Sequence, residues 1–268
     1  GLFHTPLAAV CFALEVLAVG KLEYRALLPA GLSAVAAYLV SLALGLETFQ
    51  VVLPETTVSP LSFQILLLGI AAGLTGGLFT LLLRIGKQQA AKWLPNPLVR
   101  IAVCGAVLAI LLYVCGKGRY AVLGTNLIQL AYSGETVYCF DFLCKLLLTV
   151  LTLSIGFQGG EVTPLFAIGA CLGAVLAPCL GIPTMLAAAL CYAAVFGSAS
   201  NTLLAPICIG TEVFGFSYFP YFAVVCTVAR LCNGNRSIYG KQTGSPLFLT
   251  GKEPVSYTHL RAHETLSD

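Results

Sequence analysis

The stretch that decides the fold of this chain is Ser154-Ile155-Gly156-Phe157-Gln158-Gly159-Gly160-Glu161-Val162-Thr163-Pro164. Its glycines free the backbone from helical geometry. The pair Thr163-Pro164 predicts a helix start, with the threonine as N-cap and the proline at the first helical position. A helix that begins there directs its unpaired N–H groups and the positive end of its dipole toward whatever lies beside Glu161. The stretch therefore predicts an anion site next to a group that can carry a proton.

The composition indicates the class of protein. The chain of 268 residues is 58% hydrophobic and 9% charged, with a mean hydropathy of +0.93, whereas soluble domains carry about 25% charged residues. These values predict an all-α, polytopic membrane protein, and a net charge of +3 gives no support to a nucleic-acid partner. Neither a nucleophile with a base partner nor a metal-ligand spacing is present, so we expect no enzyme, no cofactor and no metal site. The eleven cysteines contain no C-x-x-C pair, and we interpret them as small buried hydrophobic residues.

Acidic residues are rare in the second half of the chain. Between Lys145 and Arg230 the formally charged residues are Glu161 and Glu212, and an acid at membrane depth is a functional-site hypothesis by default. The alternative for Glu161 is a buried acid bonded to backbone N–H groups, but the glycine-rich break and the helix start argue against it. Glu212 lies inside a longer apolar segment, where we expect a structural role as a cap of a neighbouring loop.

The hydrophobic segments predict the membrane spans, since about 20 apolar residues cross the hydrocarbon. After Pro164 the apolar run lasts only to Pro178, which is too short to cross at 1.5 Å per residue and predicts a half-length helix. Lys145 is expected either to snorkel to the headgroups or to pair with Asp141 on the same helical face. Basic residues around Trp93 predict a loop anchored at the cytoplasmic interface: Arg84, Lys87, Lys92 and Arg100. The predicted apolar segments are 1–19, 26–46, 61–83, 99–115, 137–155, 164–178, 184–196 and 203–232.

An internal repeat relates the start of the chain to its end. The segments 5–16 and 202–213 share six of twelve residues, including Glu15 and Glu212, at an offset of 197. Repeats of this kind are typical of transporters built from two related halves. At this offset the counterpart of Glu161 would lie upstream of Gly1, so we expect a membrane domain over residues 1–250 that lacks most of its first half. The polar residues 251–268 predict a disordered or non-native tail.

With these residues in hand, the sequence resembles the CLC chloride channel and transporter superfamily. Leu2-Phe3-His4-Thr5-Pro6-Leu7-Ala8 through Phe12-Ala13-Leu14-Glu15 is similar to its F-x-A-P-L-A…F-x-x-E helix. The stretch Gly159-Gly160-Glu161-Val162-Thr163-Pro164 occupies the second-half anion motif, where ordinary chloride members have G-x-F-x-P. An acid followed by Thr-Pro resembles the fluoride/proton antiporter branch, and the resemblance covers roughly residues 1–248.

This resemblance implies an inverted-repeat fold with broken and half-length helices, and a homodimer in the cell (inner) membrane with one pore per subunit. It implies exchange of fluoride outward for protons inward. Glu161 would couple protons to fluoride, the Thr163 hydroxyl would face the anion path, and the Tyr239 hydroxyl would line the inner site. Gly159, Gly160 and Val162 complete the implied anion and proton pathway. For Tyr239, an interfacial anchor is an equally good interpretation.

Three departures from the family pattern and two alternative functions remain. Val16 stands where proton-coupled chloride members often carry a second acid, Leu203 replaces an expected proline, and the family's gating glutamate would lie upstream of Gly1. A chloride channel or chloride/proton exchanger is the first alternative to fluoride export, and passive, proton-independent chloride flux would favour it. A non-transporting membrane scaffold is the second, and it would leave Glu161→Gln silent in every flux assay.

Overall fold

The regular structure of the chain is helical. The computed structural model describes residues 4–46, 51–54, 56, 58–240 and 242. Within these ranges ten α-helices follow one another, with short 3-10 turns at Tyr24–Ala26 and Phe216–Tyr218. The helices are α1 (Pro6–Glu15), α2 (Leu27–Ala43), α3 (Phe63–Trp93), α4 (Pro97–Val114), α5 (Thr125–Ser133), α6 (Asp141–Ile155), α7 (Val162–Leu180), α8 (Thr184–Ser200), α9 (Leu204–Phe214) and α10 (Phe219–Cys232).

The centre of the molecule is the pair of helices α7 and α8. Every residue from Leu186 to Ser200 is buried, and α3, α9 and α10 pack around this helix. On α7, a Cβ added at Gly169 or Gly173 would overlap the backbone of α8. Because lipid is as apolar as a leucine side chain, helices in a membrane associate through such close packing of small residues rather than through the hydrophobic effect. The small residues of α7 and α8 therefore explain why this pair forms the core.

Four helical segments are long and apolar enough to cross a membrane: Tyr24–Ala43, Phe63–Trp93, Pro97–Val114 and Val162–Leu180. The apolar helices α1, α8 and α9 are shorter. The chain therefore contains both long and short apolar helices, as the sequence predicts. The predicted segment 61–83 is ten residues longer at its end, because α3 continues through the basic residues to Trp93. The predicted segment 203–232 divides at Gly215, whose φ of 109° breaks the helix.

The prediction of a half-length helix after Pro164 is wrong. Helix α7 has 19 residues and continues through Pro178 to Leu180, which corresponds to about 28 Å at 1.5 Å per residue. Pro178 lies in the last turn, so its missing N–H costs one hydrogen bond near an end that frays in any case. The helix stops instead at Gly181, which adopts the left-handed conformation with a φ of 65°.

The internal repeat is visible as a reciprocal contact between α1 and α9. The carboxylate of Glu15 accepts hydrogen bonds from the N–H groups of Leu203, Leu204 and Ala205 at the start of α9. The carboxylate of Glu212 accepts them from Leu7 (3.0 Å) and Ala8 (2.8 Å) at the start of α1. Each acid thus caps the other helix, which confirms the structural role expected for Glu212 and gives Glu15 the same role.

Lys145 takes neither of its two predicted arrangements. Its side chain is 1% exposed, and its ammonium donates to the carbonyl oxygens of Tyr120 (2.9 Å) and Val122 (2.8 Å). Asp141 instead accepts from the Arg119 guanidinium (2.6 Å) and the Tyr120 hydroxyl (2.7 Å). Four positions along a helix bring two side chains to one face, but the segment before α5 supplies better partners for both. The lysine therefore holds the 120–122 segment against α6.

All eleven cysteines are free thiols. Three of them are buried, five are partly buried and three are exposed, so the interpretation as buried hydrophobic residues holds fully only for Cys171, Cys191 and Cys226. In the described part of the chain, no three metal-binding side chains come together. The predicted tail, residues 251–268, lies outside the described residues, as do residues 1–3 and 243–250 of the predicted membrane domain.

Candidate anion and proton site

The candidate site is built on the N-terminal tip of α7. Glu161 is the N-cap residue of this helix and Val162 is its first residue, so the helix begins two residues before Pro164 and the prediction of Thr163 as N-cap is wrong. The first hydrogen bond of the helix runs from the Leu165 N–H to the Glu161 carbonyl. Within the described ranges, the N–H groups of Val162 and Thr163 have no hydrogen-bond partner. The tip therefore presents two free N–H donors and the positive end of the helix dipole directly beside the acid.

The carboxylate of Glu161 faces a cation from another helix. Its Oε1 atom lies 3.7 Å from the Nζ atom of Lys87 on α3, with the two side chains 20% and 50% exposed, respectively. The acid is thus partly enclosed by protein, and the lysine lies closer to water. Sequence reasoning predicted Lys87 only as an interfacial anchor, because nothing in its neighbourhood indicates a contact with a residue 74 positions away.

The glycines before Glu161 differ in what they contribute. Gly156 ends α6 with a φ of 112°, a conformation that favours glycine. Gly159 and Gly160 are exposed, and a Cβ on either would meet no atom within 4 Å. Gly156 is therefore the glycine that takes the backbone out of helical geometry, as the sequence predicts for this stretch. Gly159 and Gly160 keep the surface in front of the α7 tip free of side chains.

A row of contacting aromatic rings connects Tyr239 to helix α7. Its ring contacts Phe12 of α1 edge-on, with centroids 5.9 Å apart. Phe12 lies 5.8 Å from Phe196 of α8, which contacts Phe166 of α7 at 5.3 Å. The row leads from Tyr239 to the first turns of α7. Phe12 and Phe196 were not predicted as site residues, because a phenylalanine in an apolar helix carries no signal that separates a site from a core.

The backbone around Tyr239 is held by the end of α8. The Ile238 N–H donates to the Ala199 carbonyl (2.9 Å), and the Ser237 hydroxyl and the Gln242 amide both donate to the Ser200 carbonyl. Tyr239 lies in the turn that follows α10, where burial in the first place, and the charge of Glu161 in addition, raise the pKa of its phenol to about 12. The hydroxyl therefore stays protonated and available as a donor.

A cavity of about 420 Å³ lies beside the α7 tip. Gly159, Gly160 and Pro164 form one wall, and residues of α4, α6 and the segment 120–123 form the others. Besides Lys145, Tyr120, Thr149 and Thr152, the lining residues are apolar or glycine. The two predicted glycines thus line this cavity, whereas Glu161 and Tyr239 do not.

Comparison with known proteins gives the family. A family model described as "Voltage gated chloride channel" matches residues 1–234. The chain belongs to this family, the CLC proteins. It is 34% identical over 249 residues to a "Chloride/fluoride channel protein" of Pseudomonas syringae pv. tomato (strain ATCC BAA-871 / DC3000), a match that covers 90% of this chain and 55% of the relative.

A solved structure resembles this CLC chain closely. It is described as the crystal structure of a CLC-type fluoride/proton antiporter, and it matches with a TM-score of 0.88 and 49% identity over 91% of this chain and 62% of the other. The chain therefore spans somewhat more than half the length of these two relatives. The resemblance to the CLC superfamily and to its fluoride/proton antiporter branch is confirmed, and with it the all-α, CLC-type fold. CLC proteins are integral membrane channels and transporters, which agrees with the expectation that this chain is not an enzyme.

Proposed function

We propose that the natural protein containing this CLC chain exports fluoride in exchange for protons. The observation that carries the proposal is the α7 tip, where two N–H donors have no partner among the described residues and lie beside a partly buried glutamate. The match to a fluoride/proton antiporter at 49% identity supports the choice of ions. The proposed pathway consists of Gly159, Gly160, Glu161, Val162, Thr163 and Tyr239.

The chemistry of the tip suits a small anion. An anion that leaves water needs donors to replace its hydration shell, and backbone N–H groups at a helix start supply them together with a partial positive charge of about half an elementary charge. The Thr163 hydroxyl and the protonated Tyr239 hydroxyl are further donors in this proposal. Gly159 and Gly160 leave room for the anion to approach.

Glu161 is the proposed carrier of the proton. Two negative charges about 5 Å apart repel each other by roughly 3 kcal/mol at an effective dielectric constant of about 20. An anion at the α7 tip therefore favours the neutral form of Glu161, and a neutral Glu161 favours the anion. The protonation state of Glu161 and the occupancy of the anion site are therefore coupled, and exchange of one ion for the other requires such a coupling.

The experiment measures both ions with the complete natural protein in liposomes. An outward fluoride gradient is expected to drive fluoride efflux together with proton uptake. Glu161→Gln, which has no titratable proton, is expected to abolish the proton uptake. The matched control is Glu135→Gln, the same change at an exposed residue outside the site, which should transport both ions normally. Proton uptake at the normal ratio in Glu161→Gln would contradict the role of this residue.

A chloride or fluoride channel is the second candidate. The 34% identical relative is described as a chloride/fluoride channel protein, and a channel would move anions without protons. In the same liposomes, chloride flux that is independent of a proton gradient and insensitive to Glu161→Gln would favour this candidate over exchange.

We further propose that the protein works as a homodimer in the cell (inner) membrane, with fluoride, protons and the lipid bilayer as its partners. Many large apolar side chains of α2 and α4 are exposed, which suits contact with lipid or with a second subunit. The basic end of α3 supports a cytoplasmic location for Lys87 and, by contact, for the Glu161 tip. Cross-linking in native membranes measures the oligomeric state.

A further inference from the structure

The pair formed by Lys87 and Glu161 lies where protein meets water. Helix α3 has 31 residues, or about 46 Å, which exceeds a hydrocarbon thickness of about 30 Å. Its basic end, with Arg84, Lys87 and Lys92, is therefore long enough to reach the membrane surface. Lys87 is half exposed there, while the acid it contacts is only 20% exposed.

This ion pair is poorly suited to a role in stability. Half-exposed pairs contribute little to folding, because solvent screens the attraction and two long side chains must be held in place. The 3.7 Å separation of Nζ and Oε1 is also longer than a good charge-assisted hydrogen bond. The ammonium can therefore leave Glu161 at small cost and reach another anion near the α7 tip.

We propose that Lys87 is an anion-contacting residue whose ammonium changes partner between the Glu161 carboxylate and the transported halide. The inference rests on the proposed function. When Glu161 is ionised, its charge holds Lys87. When a proton neutralises Glu161, the ammonium loses this partner and attracts the halide toward the free N–H groups of Val162 and Thr163. A lysine suits this task, because it is a compact charge on a flexible stem of four carbons.

Two other cations near these helices, Arg100 and Arg230, are already engaged. The charge of Lys87 acts on Glu161, and the Tyr239 phenol feels the charge of Glu161. Arg100 of α4 donates to the Ile155 carbonyl (2.7 Å), and Arg230 of α10 pairs with Glu15. Lys87 is therefore the cation that can exchange the Glu161 carboxylate for the halide.

A binding cycle tests the exchange. Fluoride is titrated calorimetrically into the purified complete protein, into Glu161→Gln, into Lys87→Gln and into the double variant. Removing the carboxylate is expected to tighten fluoride binding about fivefold more when Lys87 is present than when it is absent, and removing Lys87 alone is expected to weaken binding about fivefold, the upper end of the range for partly exposed ion pairs. The double variant should bind fluoride more tightly than Lys87→Gln, because the repulsion from Glu161 is gone, but less tightly than Glu161→Gln, because the lysine is absent.

Two further variants complete the test. Lys92→Gln removes an exposed lysine five residues further along α3 and should bind fluoride like the natural protein, while Lys87→Arg should restore most of the affinity lost in Lys87→Gln. Equal tightening by Glu161→Gln with and without Lys87, or unchanged affinity in Lys87→Gln, would overturn this inference and leave the proposed function intact. Failure of the natural protein to bind fluoride would overturn both.

Discussion

Gly156 shows how one residue shapes the site. Its φ of 112° is strained for any residue with a Cβ, at a cost of about 1–2 kcal/mol. We therefore expect Gly156→Ala to lower the stability of the purified protein by about this amount, measured by thermal unfolding in detergent. Gly159→Ala is the matched control, because Gly159 has an ordinary φ and open space around it. Equal losses in the two variants would show that the turn does not depend on the conformation of Gly156.

The residues of the site divide into those that local chemistry predicts and those that only the fold supplies. A glutamate between glycines and a Thr-Pro pair indicates the start of a helix, and Glu161 lies at the N-terminal end of α7. Lys87 and Phe12 reach the same region from 74 and 149 positions away, and no local pattern encodes such contacts. Lys145 illustrates the same limit. Its ammonium binds the carbonyl oxygens of Tyr120 and Val122 and not Asp141, four positions earlier.

Helices α1 and α9 depend on each other through their acids. Glu15 is 4% exposed and accepts from three N–H groups, with the Arg230 guanidinium 3.6 Å away. Glu15→Gln leaves that guanidinium without its charge partner, so we expect a loss of about 3 kcal/mol in stability. Glu212 accepts from two N–H groups, and we expect about 1 kcal/mol for Glu212→Gln.

The measurement is thermal unfolding of each variant in the same detergent. Glu23→Gln, at an exposed acid, provides the control and should leave the unfolding midpoint unchanged. A larger loss of stability for Glu212→Gln than for Glu15→Gln would contradict this prediction. It would mean that the ion pair of Arg230 with Glu15 does not contribute to stability.

Helix existence was easier to predict than helix length. Apolar runs between polar or glycine-rich segments correctly indicate most of the helices, because the membrane requires every backbone group to be bonded within a helix. The ends were set by features with weaker signals. Pro178 predicts a helix end although it lies in the last turn of α7, and the predicted span 61–83 ends at Leu83 although α3 continues through the basic residues to Trp93.

The two repeated segments meet at a single place in the molecule. Cys11 and Cys208 occupy equivalent positions in α1 and α9, 197 residues apart, and their sulfur atoms lie 3.4 Å from each other. Reciprocal capping by Glu15 and Glu212 fixes both helices around this point. The contact between the two thiols therefore tests how the two ends of the membrane domain are arranged. It exists only if α1 and α9 pack against each other at these positions.

Oxidative cross-linking tests this arrangement in the natural protein. A disulfide needs the two sulfur atoms about 1.4 Å closer than they are, at a bond length of about 2.05 Å, and side-chain rotation with a slight shift of α1 supplies that movement. We expect a thiol oxidant such as copper phenanthroline to link Cys11 to Cys208 within one chain, detected by mass spectrometry of peptides before and after reduction. Cys208→Ser should lose the linked peptide, and the exposed Cys115 and Cys139 should remain open to alkylation in both proteins. Independent alkylation of Cys11 and Cys208 after oxidation would mean that α1 and α9 do not cross at this point, and the position of Phe12 beside Tyr239 would lose its support.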